Sequence, residues 1–268
     1  MKFTKMQGAG NDFIVLDGTD GSLDCVDLNA LAEKLCRRRL DIGADGLMAA
    51  FPPREGGTVR LGFYNADGTA GEMCGNGARC LAQWCRDNLA GIRDRVRIET
   101  VAGPVDALRE ADGSWTVRLS EPADVDLARD AGGIRCAYLT LGKGGVPHAV
   151  LEITGEESED ELAKTAAFLC HHPAFPKGAN INLFRLTGKN TVVLRTWERG
   201  VEGYTLACGT GSASTAAVLA MTGRGSDRFT VENPGGTLYV KTVCRDGIVE
   251  ELYLTGPAVT VCKGEFAL

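Results

Sequence analysis

Cys74-Gly75-Asn76-Gly77-Ala78 returns in the second half of the chain as Cys208-Gly209-Thr210-Gly211-Ser212. The two cysteines are 134 residues apart, which is half the length of the 268-residue chain. The stretches that follow, 78–89 and 212–221, lack glycine and proline before their ends and carry little charge on any face, which predicts two buried helices. A repeat at half the chain length suggests two similar halves that share one fold.

Two further matches occur in the same order. Gly10 to Asp17 lies 135 residues before Gly145 to Glu152, and Gly43-Ala44-Asp45 lies 135 residues before Gly178-Ala179-Asn180. Each match is weak alone, but together they favour an ancient duplication. The sequence therefore predicts an α/β (α+β) fold of two pseudo-symmetric domains, each a mostly antiparallel sheet around one buried helix. We expect residues 1–120, completed by a strand within 257–268, to form one domain and residues 121–256 the other.

Most other local signals are those of strands and tight turns. Alternating apolar residues predict strands around Val59–Tyr64 and Trp115–Leu119. Three β-rich runs, separated by the turn residues Pro234-Gly235-Gly236 and Asp246-Gly247, predict an antiparallel meander near the C-terminus. The runs are Phe229–Val231, Leu238–Val240 and Leu252–Leu254. Two further helices are predicted, Leu28 to Arg39 and Glu157 to Leu169.

The composition excludes several classes of protein. With 44% hydrophobic and 24% charged residues, the chain has the composition of a soluble globular protein. The net charge is −6, and the only run of bases is Arg37-Arg38-Arg39, so nucleic acid is not expected as a partner. The sequence has no apolar run long enough for a signal peptide or a membrane span, so we expect no membrane association and a cytoplasmic protein.

Ten cysteines occur, and a reducing compartment leaves most of them to pack as small hydrophobes. No Cys-x-x-Cys pair is present, which argues against zinc ribbons and thioredoxin-like sites. Cys170-His171-His172 contains three residues of metal-ligand type, but a structural metal site needs a fourth ligand. We therefore interpret this segment as a loop before Pro173 and predict no metal.

The paired cysteines suggest a specific chemistry. A cysteine directly before a Gly-x-Gly helix start meets unpaired backbone N–H groups, which favour its thiolate. If a near two-fold axis relates the halves, a substrate between the helix starts meets one sulfur on each face. One thiolate can then remove a proton from Cα while the opposite thiol delivers one. A single cysteine before glycine is best read as a packed core residue, whereas a matched pair at duplicated sites favours this function.

Seven segments also resemble the diaminopimelate epimerase family, in the family's order. The segments are Met6-Gln7-Gly8-Ala9-Gly10-Asn11-Asp12-Phe13, Tyr64-Asn65-Ala66-Asp67-Gly68, Glu72-Met73-Cys74-Gly75-Asn76-Gly77-Ala78-Arg79, Pro147-His148, Glu198-Arg199-Gly200, Leu206-Ala207-Cys208-Gly209-Thr210-Gly211 and Glu232-Asn233-Pro234-Gly235-Gly236. The resemblance implies a cofactor-independent isomerase that interconverts LL- and meso-diaminopimelate on the route to lysine and peptidoglycan. It also implies a homodimer.

The resemblance implies roles for individual residues. Cys74 and Cys208 would be the acid–base pair, and the amides of Gly75-Asn76 and Gly209-Thr210 would hold the carboxylate at the reacting carbon. Four residues would hold the rest of the substrate, namely Asn11, Asn65, Asn180 and Arg199. His148 and Glu198 match positions near the cysteines and would be further catalytic residues, and Glu198 would also contact the substrate amine.

Two departures from the family's pattern leave the substrate open. Val146 stands where many members have an asparagine that binds the substrate, and Tyr204 within 201–205 stands where an acidic residue is common. One alternative is therefore a racemase of another amino acid that uses the same cysteine pair without pyridoxal phosphate. A second is a nucleotide-binding domain, because Gly209-Thr210-Gly211 opens a helix and Asp227 follows. The third glycine of that fingerprint is missing.

Overall fold

The computed structural model describes residues 1–71 and 74–267, so Glu72 and Met73 of the first cysteine segment lie outside the described residues. The described helices are α1 (Leu28–Leu35), α2 (Gly75–Asn88), α3 (Glu159–Cys170) and α4 (Gly209–Met221). The described strands are β1 (Lys2–Gly8), β2 (Asn11–Asp17), β3 (Gly46–Phe51), β4 (Val59–Asn65), β5 (Ala70–Gly71), β6 (Arg95–Thr100), β7 (Gly103–Arg109), β8 (Trp115–Leu119), β9 (Pro122–Ala131), β10 (Ile134–Leu141), β11 (Pro147–Glu152), β12 (Asn180–Leu186), β13 (Thr191–Glu198), β14 (Gly203–Tyr204), β15 (Arg228–Asn233), β16 (Gly236–Arg245), β17 (Ile248–Gly256) and β18 (Val259–Glu265).

The chain divides into two compact units. The first unit is Met1–Val117 together with Gly256–Leu268, and the second is Arg118–Thr255. Both mix strands and helices, which confirms the predicted α+β class with two repeated domains. Among the described residues, every helix is too short or too polar to span a bilayer.

The sheet of the first unit follows a simple order. Strand β1 pairs antiparallel with β18 and with β2, and β2 runs parallel to β3. Strand β4 then pairs antiparallel with β3 and parallel with β6. The antiparallel pairs β6–β7 and β7–β8 complete the unit. Parallel neighbours need a crossover connection. Helix α1 lies in the first crossover, and β5 with α2 lies in the second.

The second unit repeats this order strand for strand. Strand β10 pairs antiparallel with β9 and β11, and β11 runs parallel to β12. Strand β13 pairs antiparallel with β12 and parallel with β15, before the antiparallel pairs β15–β16 and β16–β17. Helices α3 and α4 occupy the two crossovers. Strand β9 thus stands to β10 as β18 stands to β1, so the duplication extends to every strand pairing.

The predicted burial of α2 and α4 is confirmed. Helix α4 is built of small residues, and Ala213, Ala216 and Ala217 are fully buried. Helix α2 is buried from Gly75 to Ala82. Helices α1 and α3 instead cover one face of their sheets, with Leu31 against β2 and β3 and with Leu169 against β11 and β12. One buried and one covering helix in each unit form its core.

Helix α1 is shorter than predicted. The pattern suggested a helix up to Arg39, but the helix ends at Leu35, and Arg39 has a left-handed φ of 71°. The carbonyl of Leu35 accepts a hydrogen bond from Gly43, and Leu40 is 76% exposed, so no apolar face continues the helix. Arg38 instead forms ion pairs with two carboxylates of the first unit, Asp12 and Asp45.

Trp115 joins α2 to strand β8. Its ring is fully buried, and its indole N–H donates to the Gln83 side chain at 2.8 Å. Trp197, on β13 of the second unit, has an indole N–H that is buried and has no hydrogen-bond partner among the described residues. The two tryptophans therefore differ in hydrogen bonding.

This difference predicts different costs for the same substitution. Trp115→Phe leaves the Gln83 oxygen without its donor, whereas Trp197→Phe removes an N–H group that has no acceptor. We expect Trp115→Phe to lower the free energy of unfolding by roughly 1–3 kcal/mol more than Trp197→Phe does. Urea denaturation of both variants, followed by circular dichroism, measures this difference. Equal midpoints would show that the Gln83 hydrogen bond contributes nothing.

Candidate active site

The predicted site residues of the first unit lie at one edge of its sheet. Phe13 of β2 pairs with Gly46 of β3, which pairs with Asn65 at the end of β4. Asn11 begins β2 after the two-residue turn Ala9-Gly10, in which both residues have left-handed φ values of 56° and 86°. Two positive φ values in a hairpin turn match the twist of the strands it joins. The turn thus places Asn11 at the same edge as Asn65.

Cys74 lies beside Asn11 at the start of α2. Its sulfur is 3.5 Å from the Asn11 side-chain oxygen, and the same oxygen accepts a hydrogen bond from the Asn76 amide at 3.3 Å. The Asn11 amide donates in turn to Asp45 at 2.7 Å. The structure therefore brings three predicted site residues, Asn11, Cys74 and Asn76, into one polar network. Asn65 lies outside this network and donates to Thr69 at 3.0 Å.

Arg79 is a buried cation one turn after Cys74. Its side chain is 0% exposed and donates to the Asn76 side chain at 2.9 Å and to the backbone oxygens of Gly75 and Pro257 at 3.4 Å. Among the described residues, no carboxylate forms an ion pair with it. Desolvation lowers the pKa of Arg79 to about 10, while the charges of Cys80 and Cys74 raise it. The guanidinium is thus a source of positive potential near Cys74.

The corresponding edge of the second unit holds the remaining predicted residues. His148 of β11 pairs with Asn180 of β12, and the next residue along β12 pairs with Trp197, directly before Glu198. The Asn180 side-chain oxygen accepts a hydrogen bond from the Arg199 backbone at 2.9 Å. The Arg199 guanidinium donates to the Lys177 carbonyl oxygen. Glu198 accepts from the Thr205 hydroxyl at 2.6 Å.

Cys208 is the N-cap of α4. Its sulfur accepts a hydrogen bond from the Gly211 amide at 3.3 Å and lies 3.4 Å from the Thr210 hydroxyl. The first bond of the helix runs from Ser212 to the Cys208 carbonyl, as Ala78 bonds to the Cys74 carbonyl in α2. The amides of Gly75 and Gly209 precede these bonds, so the helices offer them no carbonyl partner. Each helix start can therefore hold an anion.

His148 is a fully buried imidazole near α4. Its Nδ1 lies 3.2 Å from the Asn182 amide nitrogen, and its Nε2 has no hydrogen-bond partner among the described residues. Burial, with the charge of Arg199, lowers the pKa of His148 from 6.5 to about 3. At neutral pH this ring is uncharged. Asn182 therefore links His148 to the start of α4, because its side chain contacts His148 and also packs against Gly211.

The two departures from the family's pattern lie in different surroundings. Val146 is 45% exposed directly before β11, at the position that corresponds to Asn11 in the first unit. Tyr204 packs edge-on against Trp197, and the Arg195 guanidinium lies 4.3 Å from the centre of its ring. Val146 can therefore meet a ligand, whereas the ring of Tyr204 is engaged in packing within the unit.

The other eight cysteines are free thiols, of which five are buried, two are exposed and one, Cys244, is half-buried. Five are buried, as predicted, namely Cys36, Cys80, Cys85, Cys136 and Cys170. Burial raises the pKa of Cys80 to about 12 and that of Cys136 to about 11, so these thiols stay protonated. Most of these cysteines are therefore buried, as expected, whereas Cys25 lies exposed in a surface turn and Cys262 lies exposed on β18.

Sequence reasoning missed two polar residues of these sites, Arg79 and Asn182. Arg79 lies in a stretch that was predicted to be a helix with little charge. It falls one turn after Gly75, on the same buried face of α2. Asn182 follows Asn180 by two residues on β12, so both side chains lie on one face of the strand. That period-2 spacing of two asparagines was a usable signal.

The sequence was also compared with those of known protein families and proteins. The family model described as diaminopimelate epimerase matches residues 3–124 and 141–261. A diaminopimelate epimerase of Synechocystis sp. is 36% identical over 99% of this chain and 98% of its own length. One of Methanocella arvoryzae is 37% identical over 99% and 96%, respectively.

Solved structures share the fold at lower identity. A PhzF-family phenazine biosynthesis protein of Bacillus anthracis has a TM-score of 0.73 and 16% identity, and covers 100% of this chain and 99% of its own. A hydroxyproline epimerase of Agrobacterium vitis, with bound trans-4-hydroxy-L-proline, has a TM-score of 0.72 and 19% identity over 98% and 90%. Likeness at such identities shows the fold alone.

The equivalent glycines Gly77 and Gly211 predict unequal tolerance of a methyl group. A Cβ at Gly211 would lie 2.2 Å from the Asn182 oxygen and 3.0 Å from the Thr196 hydroxyl, whereas one at Gly77 would meet the flexible Met48 sulfur at 3.2 Å. We expect Gly211→Ala to destabilise the protein by about 1–3 kcal/mol and Gly77→Ala to cost clearly less. Urea denaturation of both variants measures this. A tolerated Gly211→Ala would contradict the close packing of Asn182.

The lowered pKa of His148 predicts an acid-sensitive stability. The unfolded chain binds this proton near pH 6.5 and the folded chain only near pH 3. Acid therefore favours unfolding, and stability falls as the pH drops through this window, with a slope of up to about 1.4 kcal/mol per pH unit. Urea midpoints between pH 4 and 8 should depend less on pH in His148→Gln than in the wild type. The exposed His171→Gln variant is the control, and an unchanged slope in His148→Gln would refute the prediction.

Proposed function

Since the chain belongs to the diaminopimelate epimerase family, we propose that it interconverts LL- and meso-diaminopimelate with Cys74 and Cys208 as its acid–base pair. Membership of the family makes the protein an isomerase of a small molecule, on the route to lysine. One observation supports the proposed role of the two cysteines. Each is the N-cap of a buried helix, at the same point of two repeated units.

The surroundings of both sulfurs suit proton transfer. A cysteine at a helix start is exposed to the positive end of the helix dipole, which favours its thiolate. At Cys208 the Gly211 amide already donates to the sulfur. At Cys74 the charge of the buried Arg79 guanidinium stabilises negative charge on the sulfur.

The proposed reaction inverts one carbon by two proton transfers. One cysteine, as thiolate, takes the proton from Cα, so the C–H bond breaks and its electron pair spreads into the carboxylate. The thiol of the other cysteine gives its proton to the opposite face, and a new C–H bond forms with inverted configuration. The charge passes from one sulfur to the other in each turnover. LL- and meso-diaminopimelate are therefore processed by opposite protonation states of the pair.

The helix-start amides would stabilise the charge that develops on the carboxylate. We assign this part to the backbone of Gly75-Asn76 and Gly209-Thr210, because the first amides of a helix lie outside its hydrogen-bond ladder. The side chain of Asn76 is held by Arg79 and Asn11. Such fixed donors need no rearrangement when charge builds up, which is what lowers a barrier.

Polar residues at the two sheet edges would hold the rest of the substrate. We propose this part for Asn11, Asn65, Asn180, Glu198 and Arg199. Several are fixed in advance by neighbours, since Asn180 is held by the Arg199 backbone and Glu198 by Thr205. Arg199 suits a distal carboxylate, which a guanidinium can bind with two parallel hydrogen bonds. His148, neutral at pH 7, would act as a positioning residue through Asn182.

Val146 favours a second candidate, a racemase of another amino acid with the same cysteine pair. A partly exposed valine replaces the amide that stands at the corresponding position of the first unit, Asn11. Valine cannot hydrogen-bond a distal amino or carboxylate group. The same chemistry on a less polar substrate is consistent with this change.

A homodimer in the cytoplasm completes the proposal. The dimer follows from the family resemblance, and sedimentation velocity at several protein concentrations tests it. The cytoplasmic location is supported by the free thiols, because secreted proteins with as many cysteines commonly form disulfides.

Solvent deuterium tests the reaction directly. Incubation of the reduced protein with LL-diaminopimelate in D₂O should yield the meso isomer with deuterium at the inverted carbon, because the donating thiol exchanges with solvent. Cys74→Ala and Cys208→Ala should each lower kcat/KM by about 10²–10⁴-fold. Mass spectrometry and NMR of the product measure both effects.

The matched control is Cys262→Ala, which removes an exposed thiol on β18 and should leave the rate unchanged. A panel of other amino acids in the same buffer separates the two candidates. Label in another amino acid, with none in diaminopimelate, would favour the racemase. Full activity in either single variant of Cys74 or Cys208 would refute the two-cysteine mechanism.

A further inference from the structure

A second cluster of reactive side chains lies at the end of α3. Cys170 is the last residue of that helix, and His171 follows it. Glu202 comes from the turn between β13 and β14. The Cys170 sulfur, one nitrogen of His171 and one Glu202 oxygen all lie within 4.8 Å of one another. We propose that these three residues form a Zn²⁺ site.

The donor set suits this ion. A thiolate, an imidazole and a carboxylate together match the ligands of zinc, whereas Mg²⁺ and Ca²⁺ take oxygen ligands. The charges also balance, since one thiolate and one carboxylate neutralise the two charges of the ion beside a neutral imidazole. Such neutrality matters because Cys170 is buried, and an uncompensated charge there would be costly.

The geometry needs only small adjustments. In tetrahedral zinc sites the ligand atoms are roughly 3.3–3.7 Å apart, given bonds of about 2.0–2.3 Å. His171 Nε2 and Glu202 Oε2 are now 2.8 Å apart, so an ion would separate them slightly and draw the sulfur closer. Both side chains are exposed and can rotate, while the second Glu202 oxygen is anchored by the Gly200 amide at 2.9 Å.

The fourth position would be left to water. His172, the next histidine, uses Nδ1 to accept a hydrogen bond from Ala174 at 3.1 Å, and its ring lies 5.0 Å from that of Phe168. It is thus engaged elsewhere. Three protein ligands and one open position are a known arrangement for zinc.

Binding would release one proton. Burial, and next the charge of Glu202, raise the pKa of the Cys170 thiol, so it is protonated in the absence of an ion. Zn²⁺ would form a bond to sulfur as the S–H proton leaves to solvent, with no change of oxidation state. The nearby charge of Arg199 opposes a cation and favours the thiolate.

The site would connect α3 to the turn that carries Arg199. The Cys170 carbonyl accepts a hydrogen bond from Ala179 at 3.0 Å, and a Cβ at Gly178 would meet both that carbonyl oxygen, at 2.9 Å, and Cδ of Arg199, at 2.8 Å. An ion that links Cys170 to Glu202 would restrain the 199–202 turn. The zinc site itself is independent of the proposed epimerase function. Only the effect of the turn on substrate binding rests on that function.

Cobalt provides the test, because Co²⁺ takes the same ligands and a cobalt–thiolate bond absorbs in the near ultraviolet. The chelator-stripped, reduced Cys74→Ser/Cys208→Ser protein removes those two thiols as competing ligands. One equivalent of Co²⁺ per chain should give the thiolate band and the visible bands of tetrahedral cobalt, and Zn²⁺ should abolish both.

Variants of the three ligands make the test specific. Cys170→Ser should lose the thiolate band. His171→Ala and Glu202→Gly should weaken Zn²⁺ binding, measured against a competing chelator, by more than the roughly 10–100-fold that the loss of an outer-shell partner costs. Glycine suits position 202, where φ is 55°. His172→Ala is the matched control and should bind normally.

Hydrogen exchange of backbone amides provides a second, independent test of zinc binding. Zn²⁺ should slow exchange of the amides in 199–204 in the wild type but not in His171→Ala. A thiolate band that survives Cys170→Ser and disappears in Cys25→Ser or Cys262→Ser would overturn the proposal, as would the absence of any band. Epimerase activity is assayed separately without metal, so a failure of the zinc site leaves the proposed reaction standing.

Discussion

The amides at a buried helix start, which the carbonyls of the helix cannot reach, are the constraint around which each unit is built. A helix begins with N–H groups that its own carbonyls cannot reach, and burial removes the water that would otherwise satisfy them. Helices α2 and α4 both begin in the interior of their units, at Gly75 and Gly209. Each start therefore needs polar neighbours or an anionic ligand. At α4 the Cys208 sulfur already accepts one of these amides.

The neighbours of the two starts meet this constraint differently. In the first unit, Arg79 lies in the core and is satisfied by oxygens of Gly75, Asn76 and Pro257, which limits the cost of burying its charge. In the second unit no cation takes that place, and Asn182 and Thr196 pack against Gly211 instead. Duplication thus preserved the strand pairings while the polar groups at the helix starts diverged.

The same divergence runs along the two sheet edges. Asn11 in the first unit corresponds to Val146 in the second, and Asp45 corresponds to Asn180. Where Asp45 binds the Asn11 amide, Asn180 binds the Arg199 backbone. The edges are therefore unequal in charge and hydrogen bonding.

The sequence predicts a structural feature when residues close together in the chain determine that feature. The small, uncharged stretch after Cys208 predicts a buried helix, and Asp246-Gly247 predicts the hairpin turn that is found, with both φ values positive. Arg79 and Asn182 were missed because nothing near them in the chain shows that their neighbours are buried oxygens and a glycine. Arg38 was assigned to α1 for the same reason, since its carboxylate partners lie on other elements.

The sequence by itself determined the repeat, the two buried helices and the cysteines that begin them, because these follow from spacing, composition and capping within short stretches. Only the tertiary structure decided that β18 pairs with β1, that Asn11 meets Cys74 and that Glu202 reaches Cys170 and His171. Such contacts join residues far apart in the chain. They depend on strand register and on the course of the turns, which no local pattern specifies.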